Sequence, residues 1–188
     1  AGEGGLHWVA EGRERTGRLT MVEVATPQHV EAALKGGVDM LWIGARTTPN
    51  PFSVQAIADA LSGTDIPIFV KNPVNPDLQL WIGALERLFA AGLTRVAAIH
   101  RGFHWFERTP YRNSPMWEIP VRLKAAFPDL ERLCDPSHIA GNRELLAGVA
   151  QQALDLNFSG LMIETHIDPE AAKSDADQQV RPQDLATL

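Results

Sequence analysis

The chain has 188 residues, of which 45% are hydrophobic and 21% charged, with a formal net charge of -6. This size and balance predict one globular domain over 1–188, and the acidic balance argues against a nucleic-acid partner. No apolar run approaches the roughly 20 residues of a membrane helix, and the single Cys134 excludes an intrachain disulfide and fits a reducing cytoplasm.

The chain opens AGEGG without Met, which suggests a processed, proteolysed or truncated product. GGLHWVAEGRERTG (4–17) reads as a helix. Short apolar runs then recur: TMVEVA (20–25), MLWIGA (40–45), PIFVKN (67–72), RVAAIH (95–100), RLCDPSH (132–138) and GLMIETH (160–166). Each is rich in Val, Ile, Leu or Met, as buried parallel strands are. Helical stretches separate them. PQHVEAALKGG starts on Pro and stops on Gly. NPFSVQAIADALSG places Phe52, Ile57 and Leu61 at helical spacing, and PDLQLWIGALERLFAAG and NRELLAGVAQQALDLN carry longer apolar faces. A helical pattern also resumes near 119–127. Alternation of β and α at this pace predicts a parallel α/β architecture. The connection GFHWFERTPYRNSPMWEIP (102–120) is the exception. A loop of that length and aromatic content in a compact domain is usually functional.

Polar side chains gather where each apolar run ends. TMVEVA carries Glu23, and MLWIGA leads into Arg46 and Thr47. The later runs end in Lys71 and Asn72, His100 and Arg101, Asp135 and His138, and Glu164 and His166. A β/α barrel builds its active site at the C-terminal ends of its strands, whereas a doubly wound sheet concentrates it at one switch point. Six loaded strand ends favour the barrel. A closed barrel has eight strands and about 250 residues, so about six of eight βα units fit here. An open sheet of that kind leaves edges at TMVEVA and GLMIETH, and edges recruit partners. Self-association into a homo-oligomer, or a missing N-terminal segment supplied in trans, is expected.

Arg46, Lys71 and Arg101 follow consecutive strands. Arg offers a planar fork to carboxylate or phosphate and Lys a point charge, so the three together suit a small di- or trianion. The alternative is that each pairs with a neighbouring acid such as Glu23. His138, Glu164 and Asp175 form an N/O donor set suited to Mn²⁺, Fe²⁺, Co²⁺ or Zn²⁺ with positions left for water or substrate. A structural histidine is the alternative for His138. Glu164 and His166 share a face if the strand period continues. Cys134 alternates with Asp135 and is expected to face the layer between sheet and helices as an inert thiol. No nucleophile elbow and no phosphate-cradling Gly-rich motif is present.

The motifs LWIGARTTPNPF (41–52), VKNPVNPDLQLWIGALERL (70–88), IHRGF (99–103), YRN (111–113), CDPSHIAGNRELL (134–146) and GLMIETHIDPEAAKSDADQQ (160–179), in this order, resemble the type I beta group of 3-deoxy-D-arabino-heptulosonate 7-phosphate (DAHP) synthases. The branch it looks most like is often fused to chorismate mutase, and no mutase domain is present in 1–188. The resemblance implies a TIM (β/α)8 barrel enzyme of the shikimate pathway. It would join phosphoenolpyruvate to erythrose 4-phosphate and release phosphate, with a divalent metal polarising the aldehyde. On the motif matches, Arg46, Lys71 and Arg101 look like the phosphoenolpyruvate-holding groups, with Lys71 and Glu23 near the reacting centre. His138, Glu164 and Asp175 look like three of four metal ligands. The family's Gly-Pro-Cys-Ser and Lys-Pro-Arg-(Thr/Ser) motifs of the first two strands are not found. On this resemblance the chain is N-terminally truncated and starts in the helix before the third strand. A non-catalytic barrel fragment, or a sister synthase making another sugar acid from phosphoenolpyruvate, are the alternatives.

Overall fold

The structure is a computed structural model and describes residues 3–187. Six strands carry the fold: β1 (Met21–Val24), β2 (Met40–Ile43), β3 (Ile68–Lys71), β4 (Val96–His100), β5 (Glu131–Cys134) and β6 (Gly160–Leu161). They lie in one sheet in sequence order, β1-β2-β3-β4-β5-β6. The defined registers, of β1 with β2, β2 with β3 and β5 with β6, are all parallel. Helices α1 (Glu3–Thr16), α2 (Pro27–Lys35), α3 (Pro51–Leu61), α4 (Leu78–Ala90), α5 (Glu118–Ala126), α6 (Pro136–Ala140) and α7 (Arg143–Asp155) fill the connections, and α8 (Pro182–Leu185) follows β6. Among the described residues no helix is long and apolar enough to cross a membrane. The chain divides into two compact units, residues 1–73 with 77–98, and residues 74–76 with 99–188.

In the first unit the helix starts are written in side chains. Thr26, Asn50 and Asp77 each sit in extended backbone and accept hydrogen bonds from the first free amides of α2, α3 and α4. Such caps satisfy donors that no helical carbonyl can reach. Pro27 and Pro51 occupy the first helical position, where a missing N–H does no harm. The buried face of α4 is Trp81, Ala84, Leu85 and Leu88, a stripe with the spacing of a single helical face. On α3 it is Val54, Ile57, Ala58 and Leu61. Phe52 does not join it and is 84% exposed. Five residues separate Phe52 from Ile57, which turns it about 140° off that stripe. Strand residues Val22, Leu41 and Ile68, and two places on Val24, Ile43 and Val70, are buried. Between these two rows Glu23 is exposed, and Trp42 and Phe69 are half-buried. This alternation separates the helix-covered face of the sheet from the face carrying Glu23.

In the second unit two elements depart from the sequence reading. The run RLCDPSH is not one strand. β5 stops at Cys134, Asp135 is an N-cap, and His138 stands in helix α6. Pro136 explains the switch, because its fixed φ suits a first helical position and it has no N–H for a sheet ladder. GLMIETH holds strand pairing only at Gly160–Leu161, with a lone parallel bridge from Thr165 to Val180. The Met162 amide still donates to the Cys134 carbonyl at 2.7 Å, and after it the backbone turns to side-chain and loop partners. The Glu164 amide donates to Ser137 Oγ at 3.0 Å, and the Val180 amide donates to the Glu164 carbonyl at 3.1 Å. The paired strand is therefore shorter than GLMIETH, and between Glu164 and His166 only the bridge at Thr165 continues parallel pairing. Cys134, Ile139, Ala140, Val149, Ala153 and Phe158 form the unit's core, with Cys134 fully buried as expected.

Trp81 is fully buried, and its indole Nε1 donates to the Val70 carbonyl at 3.1 Å, tying α4 to β3. Trp81→Ala is expected to lower stability by about 3–5 kcal/mol, and Trp81→Phe, which keeps most of the volume but leaves that carbonyl bond unmade, by about 1–2 kcal/mol. Urea unfolding followed by circular dichroism gives both values, and an unchanged stability for Trp81→Phe would show that the hydrogen bond contributes nothing.

Candidate metal and anion site

The first unit presents Glu23, Arg46 and Lys71. Glu23 projects from the third position of β1, beside Gly44. A Cβ on Gly44 would collide with the Glu23 carboxylate, so only glycine leaves that carboxylate its place. Arg46 lies in the turn after β2, exposed, with no hydrogen bond or ion pair among the described residues. Lys71 ends β3 and is 8% exposed. The buried Thr48 hydroxyl sits 2.8 Å from the Lys71 carbonyl and 3.1 Å from the Gly44 carbonyl, pinning the Arg46 turn to the end of β3. Three clefts of this unit, lined by α1, the Gly17–Thr20 turn, Gly36–Gly37 and the α2 residues Gln28, Glu31, Ala32 and Lys35, involve none of these three residues.

The second unit brings His138, Glu164 and Asp175 together: one donor atom from each lies within 4.8 Å of the others. They come from α6, from the irregular segment after β6 and from the residue preceding a 3-10 turn. Asp135 organises the first of these. Its Oδ1 accepts from the His138 amide at 3.0 Å, capping α6. Its Oδ2 lies 2.8 Å from His138 Nδ1, though without hydrogen-bond alignment. The other ring nitrogen, Nε2, faces Glu164 Oε1 at 3.8 Å. Three ligand atoms about 2.1 Å from one first-row ion lie roughly 3.4–3.6 Å from one another. The three donors would have to close by up to about 1 Å to share one ion, and one imidazole with two carboxylates is the donor chemistry such ions take.

Sequence reasoning missed the residues that hold this set. Arg112, from the long aromatic loop, pairs with Asp175 Oδ1 and donates to Gln178 Oε1 at 2.6 Å. Gln178 is buried and donates from Nε2 to Glu164 Oε2 at 2.6 Å. Asn113 donates from Nδ2 to the His138 carbonyl at 2.7 Å and accepts from Arg101 at 2.8 Å. One amide thereby touches both a predicted anion-binding residue and the backbone of a predicted metal ligand. The YRN motif was the available signal: an Arg and an Asn together inside a loop too long to be a plain connection. Arg112 also needs Gly141, which caps α6 at φ +72 and leaves room for the Arg112 stem where a Cβ would collide. Asp175 itself stands at φ +56, a conformation unfavourable for a non-glycine residue and held here by its bond to Arg112. His166 is not part of the cluster, and its Nδ1 accepts from the Asp168 amide.

The family model described as the DAHP synthetase I family matches residues 1–188. The chain belongs to that family. It is 25% identical over 179 residues to a phospho-2-dehydro-3-deoxyheptonate aldolase of Thermotoga maritima, covering 95% of this chain and 51% of the relative. The chain thus spans about half the length of that curated relative. Among solved structures, a truncated form of 3-deoxy-D-arabino-heptulosonate 7-phosphate synthase from Thermotoga maritima superposes with a TM-score of 0.87 at 24% identity, covering 100% of this chain and 69% of the other. A phospho-2-dehydro-3-deoxyheptonate aldolase from the same organism gives a TM-score of 0.88 at 24% identity, over 99% of this chain and 53% of that one. These likenesses establish the fold class: α/β, of the TIM-barrel family of the DAHP synthases, with six βα units in this chain.

His100 and Arg101 are consecutive in this family member but live in different surroundings. Arg101 is half-buried and hydrogen-bonded to Asn113. His100 is fully buried, with Phe103, Trp117 and Phe158 packed around its ring at centroid distances of 5.6, 5.2 and 6.1 Å. Loss of hydration pushes its pKa down from 6.5 to about 3, only partly offset by the Pro115 backbone. The folded chain therefore keeps His100 neutral where the unfolded chain would protonate it. The resulting stability is complete above pH 6.5 and is lost as pH falls from there toward 3. Between about pH 7 and pH 5 the parent chain is expected to lose about 2 kcal/mol through His100 that His100→Phe does not lose. Urea unfolding of both chains at the two pH values checks this, and parallel losses would show that His100 is charged in the folded state.

Proposed function

We propose that this chain carries the metal and anion-binding part of a DAHP synthase centre, which condenses phosphoenolpyruvate with erythrose 4-phosphate and releases phosphate. The observation that carries the reading is the meeting of His138, Glu164 and Asp175 from three separate segments in a chain of the DAHP synthetase I family. His138 would supply a ring nitrogen, and Glu164 and Asp175 a carboxylate oxygen each, to a divalent ion of the Mn²⁺, Fe²⁺, Co²⁺ or Zn²⁺ class. When bound, such an ion supplies Lewis-acid polarisation of the aldehyde carbonyl.

The remaining work falls to the chain's own cations. Phosphoenolpyruvate is a phosphorylated carboxylate with up to three negative charges, and a second phosphorylated substrate must approach it. Arg46, Lys71 and Arg101 are assigned to hold it by their places after β2, at the end of β3 and after β4. Arg101 has its guanidinium oriented by Asn113, which reduces the freedom lost when an anion is bound. Lys71 is largely screened from water, so its charge acts through a less polarisable medium and attracts an anion more strongly than an exposed ammonium would. Glu23 stands near the reacting centre in this reading, exposed and without a basic partner among the described residues. A cytoplasmic, homo-oligomeric enzyme of the shikimate pathway completes the proposal, and the buried, unreactive Cys134 is compatible with it.

The test is consumption of phosphoenolpyruvate in the presence of erythrose 4-phosphate and Mn²⁺, with and without EDTA, for the parent and for His138→Ala. EDTA is expected to stop turnover and Mn²⁺ to restore it. His138→Ala is expected to lower kcat/KM at least roughly a hundredfold, because Lewis-acid polarisation supplies several kcal/mol. Full activity of His138→Ala in metal-depleted buffer would remove the ligand assignment. Absence of phosphoenolpyruvate consumption under every condition would remove the reaction.

A further inference from the structure

Arg112 and Gln178 form a chain of donors and acceptors across two of the three proposed ligands. Arg112 can only donate, and a carboxylate can only accept. Gln178 lies between them and so has one satisfied orientation: its Oε1 accepts from Arg112 and its Nε2 donates to Glu164 Oε2, each at 2.6 Å. The same Arg112 nitrogen also engages Asp175 Oδ1. One oxygen of each carboxylate is therefore taken. The oxygen of Glu164 left over, Oε1, is the one 3.8 Å from His138 Nε2. Gln178 is 1% exposed, so no water competes easily for its bonds.

We propose that Arg112 and Gln178 are positioning residues that hold Asp175 and Glu164 to one oxygen each and so set the ion class of the site. The inference rests on the metal site of the previous subsection. A site of one imidazole and two single carboxylate oxygens offers few, tightly spaced donors, which suits first-row transition ions. Ca²⁺ wants six to eight oxygens at longer distances, commonly with carboxylates bound through both atoms. Holding each carboxylate to one oxygen withholds those extra donors. The nitrogen of His138 works in the same direction.

The charge on Arg112 alone would also affect metal binding, since removing a cation beside the site strengthens attraction for any dication. That effect acts alike on Mn²⁺ and Ca²⁺ and cancels in the ratio of their dissociation constants. Gln178→Met provides a second check, because it changes no charge and is close in volume. The experiment titrates the 188-residue chain, Arg112→Met and Gln178→Met with Mn²⁺, read by loss of the free-ion electron paramagnetic resonance signal, and with Ca²⁺ as competitor. Circular dichroism confirms that each variant is folded. The parent is expected to prefer Mn²⁺, and both variants to lower that preference by roughly tenfold or more, the scale on which partners of metal ligands act. A fall in affinity for both ions in step, with the ratio unchanged, would mean that the two residues only hold the loop together and overturns the inference while leaving the metal site intact. A parent chain that binds no Mn²⁺, or binds it equally after His138→Ala, overturns the site and the inference together.

Discussion

The second unit depends on how the chain leaves β5. Asp135 is 1% exposed, and a carboxylate that far from water must be met by donors. Its amide donates to the His100 carbonyl at 2.7 Å, which extends the link to β4 by one residue. Its carboxylate caps α6 through the His138 amide and lies against the His138 ring. The strand-to-helix change is therefore completed within one residue. The same side chain that ends the strand starts the helix and fixes where the imidazole stands. Ser137, fully buried on the first turn of α6, accepts from the Glu164 amide and brings in the next proposed ligand. Two proposed ligands thus depend on the first turn of a five-residue helix. A helix that short has little stability of its own, so its place is determined by the buried Asp135 and by Ile139 and Ala140 in the core.

The sequence showed this arrangement only in part, for a physical reason. Alternation of apolar runs with capped, amphipathic helices is a local property, and it gave the strand order and α2, α3, α4 and α7 to within a few residues. Proline and the Asx caps are equally local. Asp135 was visible as a polar strand end, but its role as a cap needed the observation that Pro136 can begin a helix two residues before His138. Periodicity also overextended the last strand, which pairs as a strand only over Gly160–Leu161. Short apolar runs carry no mark of where ladder bonding stops, and here the Glu164 amide prefers a buried hydroxyl to a neighbouring strand. His100 looked like a site residue by position, whereas its ring serves as an aromatic filler among Phe103, Trp117 and Phe158.

The proposed ligands were legible as residue types, and the family resemblance selected them from other candidates. Their partners were not. Arg112 is 63 residues from Asp175 and 66 from Gln178 along the chain, and no sequence period connects such positions. Only the composition of the 102–120 connection hinted at them. A loop that carries Arg, Asn and several aromatics has side chains to spend on something other than turning.

Asn113, Asp135, Ser137, Gln178 and Arg112, whose bonds reach His138, Glu164 and Asp175, are all residues of the second unit, 99–188 with 74–76. Arg101 belongs to the same network through Asn113, whose two amide ends touch the Arg101 guanidinium and the His138 carbonyl. An Asn at this place does what neither a charged nor an apolar residue could. It accepts from a group that only donates and donates to a carbonyl that only accepts, so both contacts are satisfied without adding charge beside a cation-binding cluster. Asp at position 113 would lose the bond to the His138 carbonyl and place a like charge near Glu164 and Asp175. The same reasoning explains Gln178. At both positions a neutral amide joins a cation to the proposed ligand set, Arg101 through Asn113 and Arg112 through Gln178.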